Sequence, residues 1–164
     1  MNETSPRYNI AVVTVADDYI GSDTVLASIE NKKRYAAFWG FDFITPKAPE
    51  RQRLTDGSDP KRAKFALISE VIGKYDAVLW VDIDAVVMRY DVDMRLLLEE
   101  MIFHDTYLAV APDASIDDML NSGVLLVRSG APMTKFLRHF SDAHSMMTLC
   151  RDLMICPPGL YDQS

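Results

Sequence analysis

The chain has 164 residues, 49% of them hydrophobic and 25% charged, which is the composition of a single globular domain. A formal net charge of -7 argues against the basic face that a nucleic-acid binder needs, and it means that an anionic ligand would require a local cation or lysine. No run reaches the ~18 apolar residues of a membrane span. Cys150 and Cys156 offer too few ligands for a zinc site and are expected to be reduced thiols. The opening "MNETSPRYN" has no signal-peptide character, so the chain as it stands is expected in the cytoplasm.

The first element in chain order is "NIAVVTVA", whose β-branched run predicts a buried parallel strand. "DDYIGSD" is a loop. "SDTVLASIENKKRYAAFWG" predicts a helix capped by Ser22 or Asp23 and ended by Gly40, with Val25, Leu26, Ile29, Tyr35, Ala36 and Phe38 near helical spacing. "FDFITP" is a short second strand. The polar "KAPERQRLTDGSDP" is a loop, and Asp59 and Pro60 then cap and open a second helix through "KRAKFALISEVIGKY". "DAVLWVDIDAVVM" is a third strand with its exit. A helix at "VDMRLLLEEMI", strands at "TYLAVAPD" and "SGVLLVRSG", and a helix at "PMTKFLRHFSDAH" follow. The β-α-β-α-β order predicts an open, mostly parallel sheet with helices on both faces, within one domain spanning 1–164.

Asp82 and Asp84 close the third strand, at the carboxyl edge where open α/β sheets bind ligands. Side chains two apart on an extended segment share a side, and two carboxylates there repel each other unless a cation intervenes. Oxygen donors of this kind suit Mg²⁺ or Mn²⁺, completed by substrate phosphates. The plain alternative is a pair of exposed turn aspartates without a ligand. Two enzyme classes use the pair: a haloacid-dehalogenase-type phosphatase, with one aspartate as nucleophile and the other as general acid, and a glycosyltransferase holding a metal on a nucleotide-sugar diphosphate.

Four segments in order separate the two. "NKKRYAAFWGFDF" (31–43) looks like Asn-Lys-x-x-Tyr-Ala-x-x-x-Gly-Tyr-Asp. "RAKFALISEVIGKYDAVLWVDIDAVVM" (62–88) looks like a Trp-Ala-Lys helix followed by Trp-x-Asp-x-Asp-Ala. "LNSGVLLVRS" (120–129) looks like Leu-Asn-Thr-Gly-Ser-Phe-Leu-Ile-Arg-Asn, and "YDQS" (161–164) looks like Asp-Gln-Ser-Ala. Together they resemble the nucleotide-sugar glycosyltransferases of the GT-A fold. The nearest likeness is to the fungal and plant family of α-galactosyl-, mannosyl- and xylosyltransferases, with glycogenin-like enzymes more distant.

The resemblance implies a metal-dependent transfer of sugar from a nucleotide-sugar, a UDP-sugar being the expected donor, to a hydroxyl of a glycan or glycoconjugate, with retention. Asp82 and Asp84 would ligate Mn²⁺ or Mg²⁺. Lys64 would reach the phosphates. Val13, Thr14, Val15 and Tyr19 would line the base pocket, Asn121, Ser122 and Gly123 would face the donor sugar, and Asp162 and Gln163 would lie near the anomeric carbon. Trp80, Met101, Met146 and Met147 are expected in the core, and His139 and His144 on the surface, while His104 matches no motif of the family.

The family continues past the Asp-Gln-Ser step and supplies there a histidine that completes the metal site. The sequence has no such segment. A non-catalytic nucleotide-sugar-binding remnant is therefore the alternative reading, with the phosphatase behind it. If the sequence is trimmed from a longer eukaryotic protein, the Golgi lumen replaces the cytoplasm as the expected compartment.

Overall fold

A computed structural model of the chain describes residues 8–16, 22–47, 60–112 and 120–141. The elements are β1 (Ile10–Val13), α1 (Ser22–Trp39), β2 (Asp42–Ile44), α2 (Pro60–Val71) with a 3₁₀ turn behind it (Ile72–Lys74), β3 (Ala77–Val81), α3 (Met94–Phe103), β4 (Leu108–Pro112), β5 (Leu120–Arg128) and α4 (Ala131–Ser141). They build a five-stranded sheet in the order β2-β1-β3-β5-β4. β1 pairs with β2 and β3 in parallel, and β5 runs antiparallel to both β3 and β4. The expected open, mixed and mostly parallel sheet is therefore present, with its one reversed strand next to the centre.

Two cores lie on the two faces of this sheet. Side chains alternate along a strand, so each strand feeds both. Ala11, Val13, Val78 and Trp80 pack with Ala63, Leu67, Ile68 and Val71 of α2 and with Met133 and Leu137 of α4. Ile10, Val12, Leu79 and Val81 pack with Tyr35 and Ala36 of α1 and with Leu98 and Met101 of α3. β1 and β3 are buried along their whole length because both faces are covered, which is why they read as unbroken apolar runs. Trp80 and Met101 are core residues as expected; Met146 and Met147 lie outside the described residues.

Helix ends follow local chemistry. Gly40 takes φ +70 after α1. Its N–H donates to Ala37 O at 3.3 Å, and the Phe41 N–H donates to Ala36 O at 2.8 Å. This is a Schellman closure, and the Tyr35 and Phe41 rings meet edge-on across it at 6.1 Å. At the start of α3, Asp93 caps by accepting from the Arg95 N–H at 3.0 Å. α2 begins at Pro60 as expected; Asp59 and residues 48–58 of the preceding loop lie outside the described residues.

One expectation about α1 is corrected. Leu26 and Phe38 fall near helical spacing, yet each is 63% exposed. The buried face carries Ser28, Lys32, Tyr35 and Ala36 instead. The reason is what that face covers: backbone that needs hydrogen-bond partners as well as apolar contact.

Candidate functional site

β3 brings its five residues through the middle of the sheet and ends at Val81, and Asp82 emerges at the carboxyl edge. The ladder runs one step further, with the Asp82 N–H donating to Gly123 O at 2.8 Å. Because β5 is antiparallel, its first residues arrive where β3 leaves, so Asn121–Gly123 meet Asp82 although they are about forty positions apart in the chain. Asp82 is partly buried, Ile83 is buried and Asp84 is exposed.

Lys64, in the second turn of α2, lies across this junction with only 11% of its side chain exposed. Its ammonium pairs with Asp82 Oδ1 at 3.0 Å and donates to Ser122 O at 2.8 Å and to Ser122 Oγ at 3.2 Å. The Trp80 ring lies 5.4 Å from the same ammonium, and the Trp80 indole N–H donates to Asp82 Oδ1. Asp82 is therefore gripped by a charged and a neutral donor, which fixes its carboxylate against the strand exit. Read as a sequence, Lys64 could equally have been a solvated helix lysine; in the structure it is buried against Asp82 and Ser122.

The Asn-Ser-Gly step is a bulge. The pairing of β4 with β5 jumps from Val110–Leu125 to Ala111–Asn121, leaving Ser122, Gly123 and Val124 without partners on β4. Such irregularities re-aim side chains, and here the bulge turns Ser122 towards Lys64. The Gly123 N–H donates to Asn121 Oδ1 at 2.8 Å. A Cβ on Gly123 would come within 2.9 Å of that oxygen and 3.5 Å of Asp82 Oδ2, so glycine is what lets these groups approach. The register jump is set by pairing with the preceding strand β4, and no motif within "LNSGVLLVRS" announces it.

A third part of the site was not anticipated from the sequence. The segment leaving β3, residues 82–93, has irregular backbone, and five side chains of α1 hydrogen-bond to it. Lys32, which is 0% exposed, donates to Ser28 Oγ and to Ala85 O at 2.6 Å. Ser28 Oγ donates to Ile83 O. Asn31 closes a two-way clamp on Val87, accepting its N–H at 2.8 Å and donating to its carbonyl at 3.0 Å. Further along the helix, Tyr35 OH donates to Val92 O at 2.7 Å and the Trp39 indole to Tyr90 O at 2.8 Å. Spacings of three and four put all five side chains on one face of α1. That polar spacing was the available signal, and hydropathy alone hides it. Burial pulls the Lys32 ammonium down to about 8, against the opposing pull of the Asp84 and Asp82 charges.

The β1 exit is the third strand end at this edge. The Val13 side chain is in the core, so only its backbone faces the sheet neighbours Ile44 and Trp80. The Thr14 N–H donates to Ile44 O at 3.1 Å, while its buried hydroxyl has no hydrogen-bond partner among the described residues. Val15 packs against the core beside Ala11 and Val13. The structure thus brings together Lys64, Asp82, Asn121, Ser122 and Gly123, sets Asp84 two residues past Asp82, and puts Thr14 one residue past the Val13–Trp80 pair. Tyr19, Asp162 and Gln163 lie outside the described residues, as does His144; His104 and His139 are exposed.

Among the described residues no group of three or more His, Cys, Asp or Glu side chains gathers as a metal cage. The donor set at the edge is two carboxylates, Asp82 and Asp84. That set fits a hard cation such as Mg²⁺ or Mn²⁺, which takes one or two carboxylates and completes its shell with phosphate oxygens and water.

The fold that carries this edge is GT-A-like, as expected: a mixed five-stranded open sheet, helices on both faces, and an aspartate pair leaving the central strand. Among solved structures it is similar to a glycosyltransferase involved in the glycosylation of the major capsid of PBCV-1, with a TM-score of 0.57 over 88% of this chain and 76% of that one, at 13% identity. At that identity the likeness is one of fold. No protein-family model and no curated protein matches the sequence. Among the described residues no helix is long and apolar enough to cross a membrane.

Proposed function

We propose that this chain is a glycosyltransferase that binds a nucleotide-sugar, a UDP-sugar, with Mn²⁺ or Mg²⁺ and transfers the sugar to a hydroxyl of a glycan or glycoconjugate. The observation that carries the reading is the junction of Lys64, Asp82 and Ser122 at the carboxyl edge of a glycosyltransferase fold. Asp82 and Asp84 would hold the cation, which supplies charge neutralisation to the departing diphosphate. Lys64 keeps a second positive charge at the same place, within a protein whose net charge is -7. Asn121 and Ser122 present an amide and a hydroxyl, the groups that pair with sugar hydroxyls, and Gly123 keeps the backbone close to Asp82. The Thr14 hydroxyl at the β1 exit, without a partner among the described residues, is a group that a base or ribose could satisfy. Catalysis on this arrangement rests on orientation and on electrostatic stabilisation of the leaving group. Retention, and the finer likeness to the α-galactosyl-, mannosyl- and xylosyltransferase family, rest on the motifs at 31–43, 62–88, 120–129 and 161–164.

UDP release from UDP-glucose, UDP-galactose and UDP-xylose in the presence of Mn²⁺ tests the reading. Release that disappears in Asp82→Asn supports it. UDP binding without release or transfer would make the chain a binding module. Hydrolysis of an aryl phosphate, lost in the same variant, would overturn the reading in favour of a phosphatase.

A further inference from the structure

Residues 83–88 alternate between inside and outside. Ile83 is buried and Ala85 and Val87 are partly buried, while Asp84, Val86 and Met88 are exposed. The three inner residues each offer a carbonyl to one polar row on α1: Ile83 to Ser28, Ala85 to Lys32 and Val87 to Asn31. Lys32 and Ser28 are also bonded to each other, so the row is a linked unit. A buried lysine on a strand-covering helix face is costly unless it is bonded, and its partners here are Ser28 and the backbone one residue past Asp84. Burying Lys32 therefore makes structural sense only if the path of that backbone matters.

We propose that Lys32, with Ser28 and Asn31, forms a positioning platform that fixes the backbone of residues 83–87 and so sets the direction in which Asp84 faces the ligand. This inference rests on the reading of Asp82 and Asp84 as cation and diphosphate ligands. Asp82 is held by Lys64 and Trp80 from one side of the sheet. Among the described contacts, Asp84 has no equivalent side-chain grip, so its placement comes from the backbone on either side of it. Supports of this kind behind metal ligands typically alter affinity by roughly 10–100-fold when removed.

The test compares the wild-type chain with Lys32→Met, which keeps the aliphatic stem, with Ser28→Ala, a milder change at the same platform, and with Leu137→Ala, a core truncation in α4 on the opposite face of the sheet. Two readouts are taken at a temperature where all are folded by circular dichroism: amide hydrogen exchange over residues 84–88, and calorimetric titration of UDP with Mn²⁺. Expected are faster exchange over 84–88 and roughly 10–100-fold weaker UDP binding in Lys32→Met, a smaller shift of the same kind in Ser28→Ala, and neither effect in Leu137→Ala. Should Lys32→Met fail to fold, Ser28→Ala decides by the same two readouts. Unchanged exchange in the platform variants overturns the proposal, as does faster exchange with UDP affinity intact. Wild-type chain that binds no UDP overturns the ligand role of the platform together with the donor reading, whereas wild-type binding that the platform variants share overturns the platform alone.

Discussion

Lys64 joins three pieces of chain, α2, the β3 exit and the β5 bulge, through one ammonium group. Lys64→Met should leave Asp82 without its cation and Ser122 O without its donor, lowering stability by about 1–3 kcal/mol in urea denaturation. The double variant Lys64→Met/Asp82→Asn should recover part of that loss, and strict additivity would contradict the coupling. At Gly123 an added methyl meets the mobile end of the Asn121 side chain rather than backbone. Gly123→Ala should therefore melt close to wild type while displacing Asn121 and weakening nucleotide-sugar binding; an unchanged affinity would remove Asn121 from the site. Lys32 titrates at about 8 in the folded chain, against 10.5 as the ordinary value. Between those two pH values the unfolded chain keeps a proton that the folded chain has released, so stability rises with pH across the window, while below it both forms hold the proton and the burial penalty is constant. The melting temperature of the wild type should therefore climb relative to Lys32→Met from about pH 8 to about pH 10.5, and a flat difference would contradict the burial of a charged lysine.

Among the elements, α1 shows both what sequence patterns convey and what they hide. Its extent and its end at Gly40 were legible, because a glycine after an apolar-periodic segment has a specific conformational use. Gly40 has φ +70 and open space around the position of a Cβ, so Gly40→Ala should cost about 1 kcal/mol from conformation alone. Gly73 also has open space but lies in the 3₁₀ turn without a positive φ, so Gly73→Ala should be neutral or gain about 0.4–1 kcal/mol. Chemical denaturation of the pair checks both signs. The inner face of α1 was not legible, because hydropathy scores Ser28, Asn31 and Lys32 as solvent-facing, whereas each hydrogen-bonds the segment behind β3. The bulge in β5 was hidden for a different reason: "LNSGVLLVRS" fixes a strand, but the jump from Leu125 to Asn121 is set by pairing with β4.

At the scale of the molecule, the layering was legible from the two continuous apolar runs at β1 and β3, which only a sheet covered on both faces can bury. The antiparallel placement of β5 beside β3 was not, since strand order follows from contacts between distant segments. That placement makes the site, by bringing Asn121–Gly123 against Asp82. The central claim is that this edge binds a nucleoside diphosphate together with a divalent cation. The most direct test is calorimetric titration of UDP into the protein with Mn²⁺ and, separately, with a chelator, repeated for Asp84→Asn. The account predicts binding by the wild type only when Mn²⁺ is present, and a marked loss of affinity in the variant. Binding that is indifferent to the metal, or no binding at all, would contradict it.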